Sequence, residues 1–127
     1  MSTQIHDLAL NAPAQQMLAP IATTQTTTGT GIDLKDYEGN ITVVQSIGVV
    51  GGTGGPTFTT VISESDDNST FTNITGGSFT AVTTSGNVQT LSMQRTKRYV
   101  RHNITVAGTT SPTAPVSIVL LAQKKQV

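Results

Sequence analysis

The chain has 127 residues, enough for one domain that buries roughly two thirds of its unfolded surface. Seven basic and seven acidic residues cancel, and at 11% charged residues the chain offers no electrostatic footprint for nucleic acid or an anionic membrane. With no cysteine it forms no disulfide, zinc ribbon or thiol nucleophile, and no apolar run approaches the ~20 residues of a membrane span.

Aromatic residues are 4% of the chain and Trp is absent, so a core must come from Val, Ile and Leu with three Phe. Ser and Thr make up about a quarter of the residues. Thr is stiff at χ1 and suits a pleated, half-exposed surface better than a helix.

In chain order, residues 1–30 read as an extended N-terminal arm. Pro13 and Pro20 break any helical period, and Thr23 to Thr30 is a low-complexity tract. The isolated apolar residues Ile5, Leu8, Leu10, Met17, Leu18 and Ile21 mark this arm as one that docks on a partner. The segment 1–10 lacks the basic start and continuous apolar stretch of a signal peptide, so a cytoplasm is the expected site of synthesis.

Residues 31–127 read as the folded domain, an antiparallel β-sandwich. Strands are expected over 41–50, 57–64, 70–75, 78–83, 88–94, 98–106 and 116–123, separated by turn residues such as Gly39-Asn40, Gly51 to Pro56, Gly76-Gly77 and Gly86-Asn87. Seven strands at that spacing, with loops too short for parallel crossovers, indicate an all-β sandwich or barrel. Period-2 alternation puts Val100, His102, Ile104 and Val106 on one face, Phe58, Thr60, Ile62 and Glu64 on another, and Ile118, Leu120 and Ala122 on a third. Both faces of 41–50 are apolar, which points to a central strand or one covered on both sides.

Chemistry is sparse. Gly51 to Pro56 lacks the Lys-Ser/Thr ending of a phosphate loop and no helix follows it. Glu64, Asp66, Asp67 and Asn68 gather hard oxygen donors without EF-hand spacing, as do Asp33, Asp36 and Glu38; an ordinary turn explains both. His6 and His102 have no Ser or acid at motif spacing, and no general acid–base partner can be named for either. Neither a catalytic residue, a metal site nor a cofactor is expected. Arg95, Lys97, Arg98 and Arg101 are the one basic concentration; Arg98 and Arg101 are candidates for an interface with an acidic partner.

The segments Gly31-Ile-Asp-Leu-Lys-Asp-Tyr-Glu-Gly39, Ile62-Ser-Glu-Ser-Asp-Asp-Asn-Ser-Thr-Phe-Thr-Asn-Ile74, Lys97-Arg-Tyr-Val-Arg101 and Leu120-Leu-Ala-Gln-Lys-Lys125 together resemble a family of small tailed-bacteriophage proteins. Its members are capsid decoration, or cement, proteins, and the likeness covers roughly residues 31–125. The resemblance implies a jelly-roll-like sandwich that binds the outer surface of a phage capsid and bridges major capsid protein subunits. It further implies a virion location and a homo-oligomer, dimer or trimer, with no catalytic residues to carry over. A glycan-binding or adhesin module on a virion or tail is the alternative. That alternative needs an exposed aromatic platform, and the three Phe are expected to be buried.

Overall fold

The computed structural model describes residues 12–125, and every regular element in that span is a strand. One sheet contains β1 (Ala14–Thr23), β4 (Tyr37–Ile47), β8 (Asn87–Gln94) and β10 (Thr110–Lys124), in the order β1-β10-β4-β8. The short β5 (Gly51–Thr53) pairs with the start of β10. The second sheet is built from β2 (Thr27–Thr28), β3 (Ile32–Asp33), β6 (Thr57–Ser65), β7 (Thr72–Ser78) and β9 (Tyr99–Ala107). Its order is β2-β9-β6-β7, and β3 pairs with β9 beside β2, so these two short pieces act as one interrupted strand. All pairings are antiparallel.

The expected all-β sandwich is the fold observed. With β2 and β3 counted once and β5 set aside, this order is the two-sheet connectivity of a jelly roll. The chain crosses between sheets at nearly every connection, so neighbours in sequence end up facing each other across the core.

The core follows from alternation. Ile41, Val43 and Ile47 of β4 and Val116, Ile118, Leu120 and Ala122 of β10 point inward from the first sheet. Phe58 and Ile62 of β6 and Val100 and Ile104 of β9 meet them from the second. Strand β4 is central, between β10 and β8, as its two apolar faces required. Of the runs expected at 70–75 and 78–83, the first falls largely in β7, whereas the second is not a strand: only Ser78 belongs to β7, and Val82 makes a single bridge to Phe58. The glycine-rich loop at 51–56 is partly strand, since β5 pairs with Thr110 and Thr113.

The described part of the expected arm is not an arm. Ala14–Thr23 forms β1, the edge strand beside β10, with register shifts at Gln16/Leu18 and Leu18/Ile21 that accommodate Pro20. Met17 and Leu18 pack, half-buried, against the sandwich's own core. β1 supplies the first strand of the jelly roll, so the domain begins well before residue 31. Ile5, Leu8 and Leu10 lie outside the described residues.

Two glycines make room for bulky neighbours. A Cβ on Gly48 would sit 2.6 Å from Cγ of Pro115, which lets a proline occupy the interior strand β10. A Cβ on Gly29 would lie 2.3 Å from Cε1 of His102, so the imidazole fills space that only glycine leaves open.

Candidate interaction surfaces

The turns at the two ends of the sandwich differ sharply in charge. All charged residues except Asp7, which lies outside the described span, fall within 33–38, 64–67, 95–101 and 124–125. Strand register gathers these segments at one end: Lys124 pairs with Tyr37, Asn40 with Gln94, and Ser65 and Asp33 with Tyr99. The opposite end is made of 24–26, 48–56, 79–86 and 108–109, and carries no charged residue.

At the charged end Asp33, Glu64, Asp67, Arg95 and Arg98 have internal hydrogen-bond partners. Arg98 forms a bidentate pair with Asp33, Nε to Oδ1 at 2.8 Å and Nη2 to Oδ2 at 2.7 Å, and its guanidinium lies 5.0 Å from the Tyr99 ring centre. Hydrogen bonds from Arg98 and the Lys35 backbone hold the Asp33 carboxyl down at about 2. Arg95 ties three segments together: Nη2 donates to the Leu34 and Tyr37 carbonyls and Nη1 to that of Lys97. Buried Glu64 accepts from the Thr96 backbone N–H and hydroxyl.

The oxygen-rich turn after β6 is organised from within. Asp67 accepts from the backbone N–H groups of Thr70 and Ser69 and from the Ser65 hydroxyl, which lowers its carboxyl to about 2. Asn68 follows at φ 60, a left-handed conformation that Asn tolerates. Among the described residues no group of three or more His, Asp or Glu is placed to hold a metal ion.

The two arginines singled out from the sequence both have partners within the chain. The Arg101 guanidinium stacks 3.8 Å from the centre of the Phe71 ring on the outer side of β9. Phe58 and Phe79 are buried as expected, but Phe71 is only half-buried, on the outer face of the second sheet. Its ring face is covered by Arg101, the position a stacked sugar would need.

The neutral end shows the reverse character. Among the described residues the exposed large hydrophobic side chains are Ile21 (57%), Val49 (73%) and Val88 (66%). Ile21 and Ile47 both pair with Val116, and Ser46 pairs with Val88, so all three sit at or beside this end. The neutral character continues along most of the outer face of the first sheet, where Val44, Val119, Leu121, Thr42, Thr90 and Ser92 lie; Glu38, exposed and in step with Asn40 and Thr42 along β4, brings charge to that face only at its charged-end margin. A shallow groove of about 310 Å³ on that face is lined by Ala12, Asn40, Thr42, Leu121 and Gln123, without a titratable side chain. Of the sequence candidates among the described residues, only Ile21 belongs to this surface. Val49 and Val88 were legible only as apolar members of strands.

His102 lies in the core at 2% exposure, and neither ring nitrogen has a protein hydrogen-bond partner. It faces inward beside Thr60, whose hydroxyl donates to Oε1 of Gln45 on the opposite sheet. These are buried polar groups of the core, closed to any substrate.

No protein-family model matches the chain, and no curated protein does. Among solved structures, the crystal structure of PBSX exported protein XepA is similar over 99% of this chain, with a TM-score of 0.60 and 17% identity. The likeness is one of fold. The matched region is 41% of XepA, so this chain corresponds to a part of that protein.

Proposed function

We propose that this chain is a structural protein of a phage particle that binds the outer surface of the capsid and bridges neighbouring major capsid protein subunits. The observation that carries the reading is the segregation of charge, which leaves one end, with most of the adjoining sheet face, neutral and studded with exposed Ile21, Val49 and Val88. Such a surface meets another protein without desolvating an ion, and a buried valine contributes on the order of 1.5 kcal/mol. Repetition over a symmetric shell multiplies contacts of that size.

Three further points support it. The jelly roll recurs in viral capsid domains. The structural neighbour XepA is a phage-related protein. The four sequence segments resemble decoration proteins. The role needs no cofactor and no reaction, and none is proposed. The glycan-binding alternative is disfavoured by the Arg101 guanidinium lying over the Phe71 ring.

Quantitative mass spectrometry of gradient-purified particles from the phage that encodes the chain tests the reading. A copy number comparable to that of the major capsid protein is expected. Absence from particles, or the few copies of a tail component, overturns it.

A further inference from the structure

The sandwich has four lateral strand edges, and three of them are blunted. β1 is broken by two register shifts and Pro20. β2 and β3 are two-residue fragments. β7 contains Gly76 at φ 81 and Gly77, and its register against β6 shifts between Val61 and Ser63. Interruptions of this kind stop an edge from templating another strand.

β8 is the exception. Asn87–Gln94 pairs with β4 through eight consecutive positions without a shift. It contains no Pro, Gly or charged residue. Among the described residues no backbone hydrogen bond joins it to anything but β4, so alternate N–H and C=O groups along its free side have no backbone partner there. Its side chain Gln89 binds the Thr80 N–H and C=O, 2.9 Å each, and so closes the gap between the sheets beneath the strand while leaving that edge open.

We infer that β8 is a dimerisation edge, on which a second copy of this chain adds its own β8 in antiparallel register to make one continuous sheet across a two-fold axis. The choice of a second copy rests on self-complementarity. Antiparallel pairing about a two-fold sets the strand against itself, so any charge near its middle would face its own kind and repel. β8 has none. Side-chain parity requires outward residues to oppose outward residues, and a register centred on Leu91 sets Val88 against Gln94 and Thr90 against Ser92. The same register brings the two Leu91 side chains together. Leu91 is half-buried at the edge of the core, and its copy across the axis completes its cover.

The inference is independent of the capsid reading, since it concerns the purified chain alone. Sedimentation analysis of the full chain is expected to give twice the 13.2 kDa protomer mass. Thr90→Lys places a charge on the exposed face beside the axis and is expected to give a folded monomer, with circular dichroism unchanged. Because the chain lacks cysteine, Leu91→Cys gives one thiol per protomer, which is expected to cross-link two copies under mild oxidation. Thr59→Cys, on β6 of the other sheet, is expected not to cross-link. A monomeric wild-type chain at tens of micromolar, a Thr90→Lys variant that remains dimeric, or equal cross-linking of the two cysteine variants overturns the inference.

Discussion

His102 is the residue whose chemistry is most constrained by its surroundings. Burial without a hydrogen-bond partner pushes its imidazole below the usual value of 6.5. The unfolded chain therefore binds a proton more readily than the folded one as pH falls. Stability from this group is complete above about pH 6.5 and declines below it, which thermal melts between about pH 8 and about pH 4.5 will register. His102→Leu is expected to flatten that decline, which separates it from any contribution of His6. Asp33 and Asp67, held at about 2, act in a lower window: their contribution is present above 3.8 and lost only as pH falls toward 2. The phenylalanines make a second contrast. Phe58→Ala, at a fully buried site, should cost about 3–5 kcal/mol in a denaturant titration. Phe71→Ala should cost about 1–2 kcal/mol, the sum of partial burial and a partly exposed cation–π contact. A core-sized loss at Phe71 would contradict its placement outside the second sheet.

At the level of elements, β1 carries the largest difference between what the sequence implies and what the chain does. Its apolar residues Met17, Leu18 and Ile21 have neither helical nor alternating spacing, because two bulges break the period. Such an edge strand has no signal of its own; it is specified by β10, which lies about a hundred residues away. By contrast β9, the second half of β10 and β6 up to Ile62 were legible residue by residue, since each has one face on the core and regular alternation. Val100, His102 and Ile104, and Phe58, Thr60, Ile62 and Glu64, are buried as the sequence alternation implied, whereas Val106, the last of the β9 set, is only half-buried. The charge segregation was invisible for a different reason: the charged segments are dispersed along the chain, and only strand register brings them to one end. Deleting residues 1–25 removes β1, so it should unfold the domain rather than leave a soluble sandwich lacking an arm. Loss of the cooperative thermal transition in that truncation is the expected result. A truncated chain that melts like the full one would mean β1 is dispensable. Arg95→Ala should weaken the same end from the other side, by about 2–3 kcal/mol, because it leaves the Leu34 and Tyr37 carbonyls without their charged donor.

For the whole molecule, the two ends predict two different responses to salt. Contacts made through the neutral end and the outer face of the first sheet involve no ion pairs, so they are not screened. Contacts made through the charged end would weaken as the screening length shrinks. If the neutral surface faces the shell, co-sedimentation of the purified chain with capsids should be nearly unchanged from about 0.05 M to about 0.5 M salt. Val49→Glu should reduce it strongly, since it leaves a carboxylate to be desolvated in the interface. Lys124→Glu and Lys97→Glu, at the far end, should leave it intact. Binding that falls steeply with salt and is lost in the lysine variants would place the contact at the charged end instead, where Arg98 and Arg101 would have to exchange Asp33 and Phe71 for groups on the capsid. That exchange breaks existing contacts before any new ones form, whereas Val49 has only water to lose.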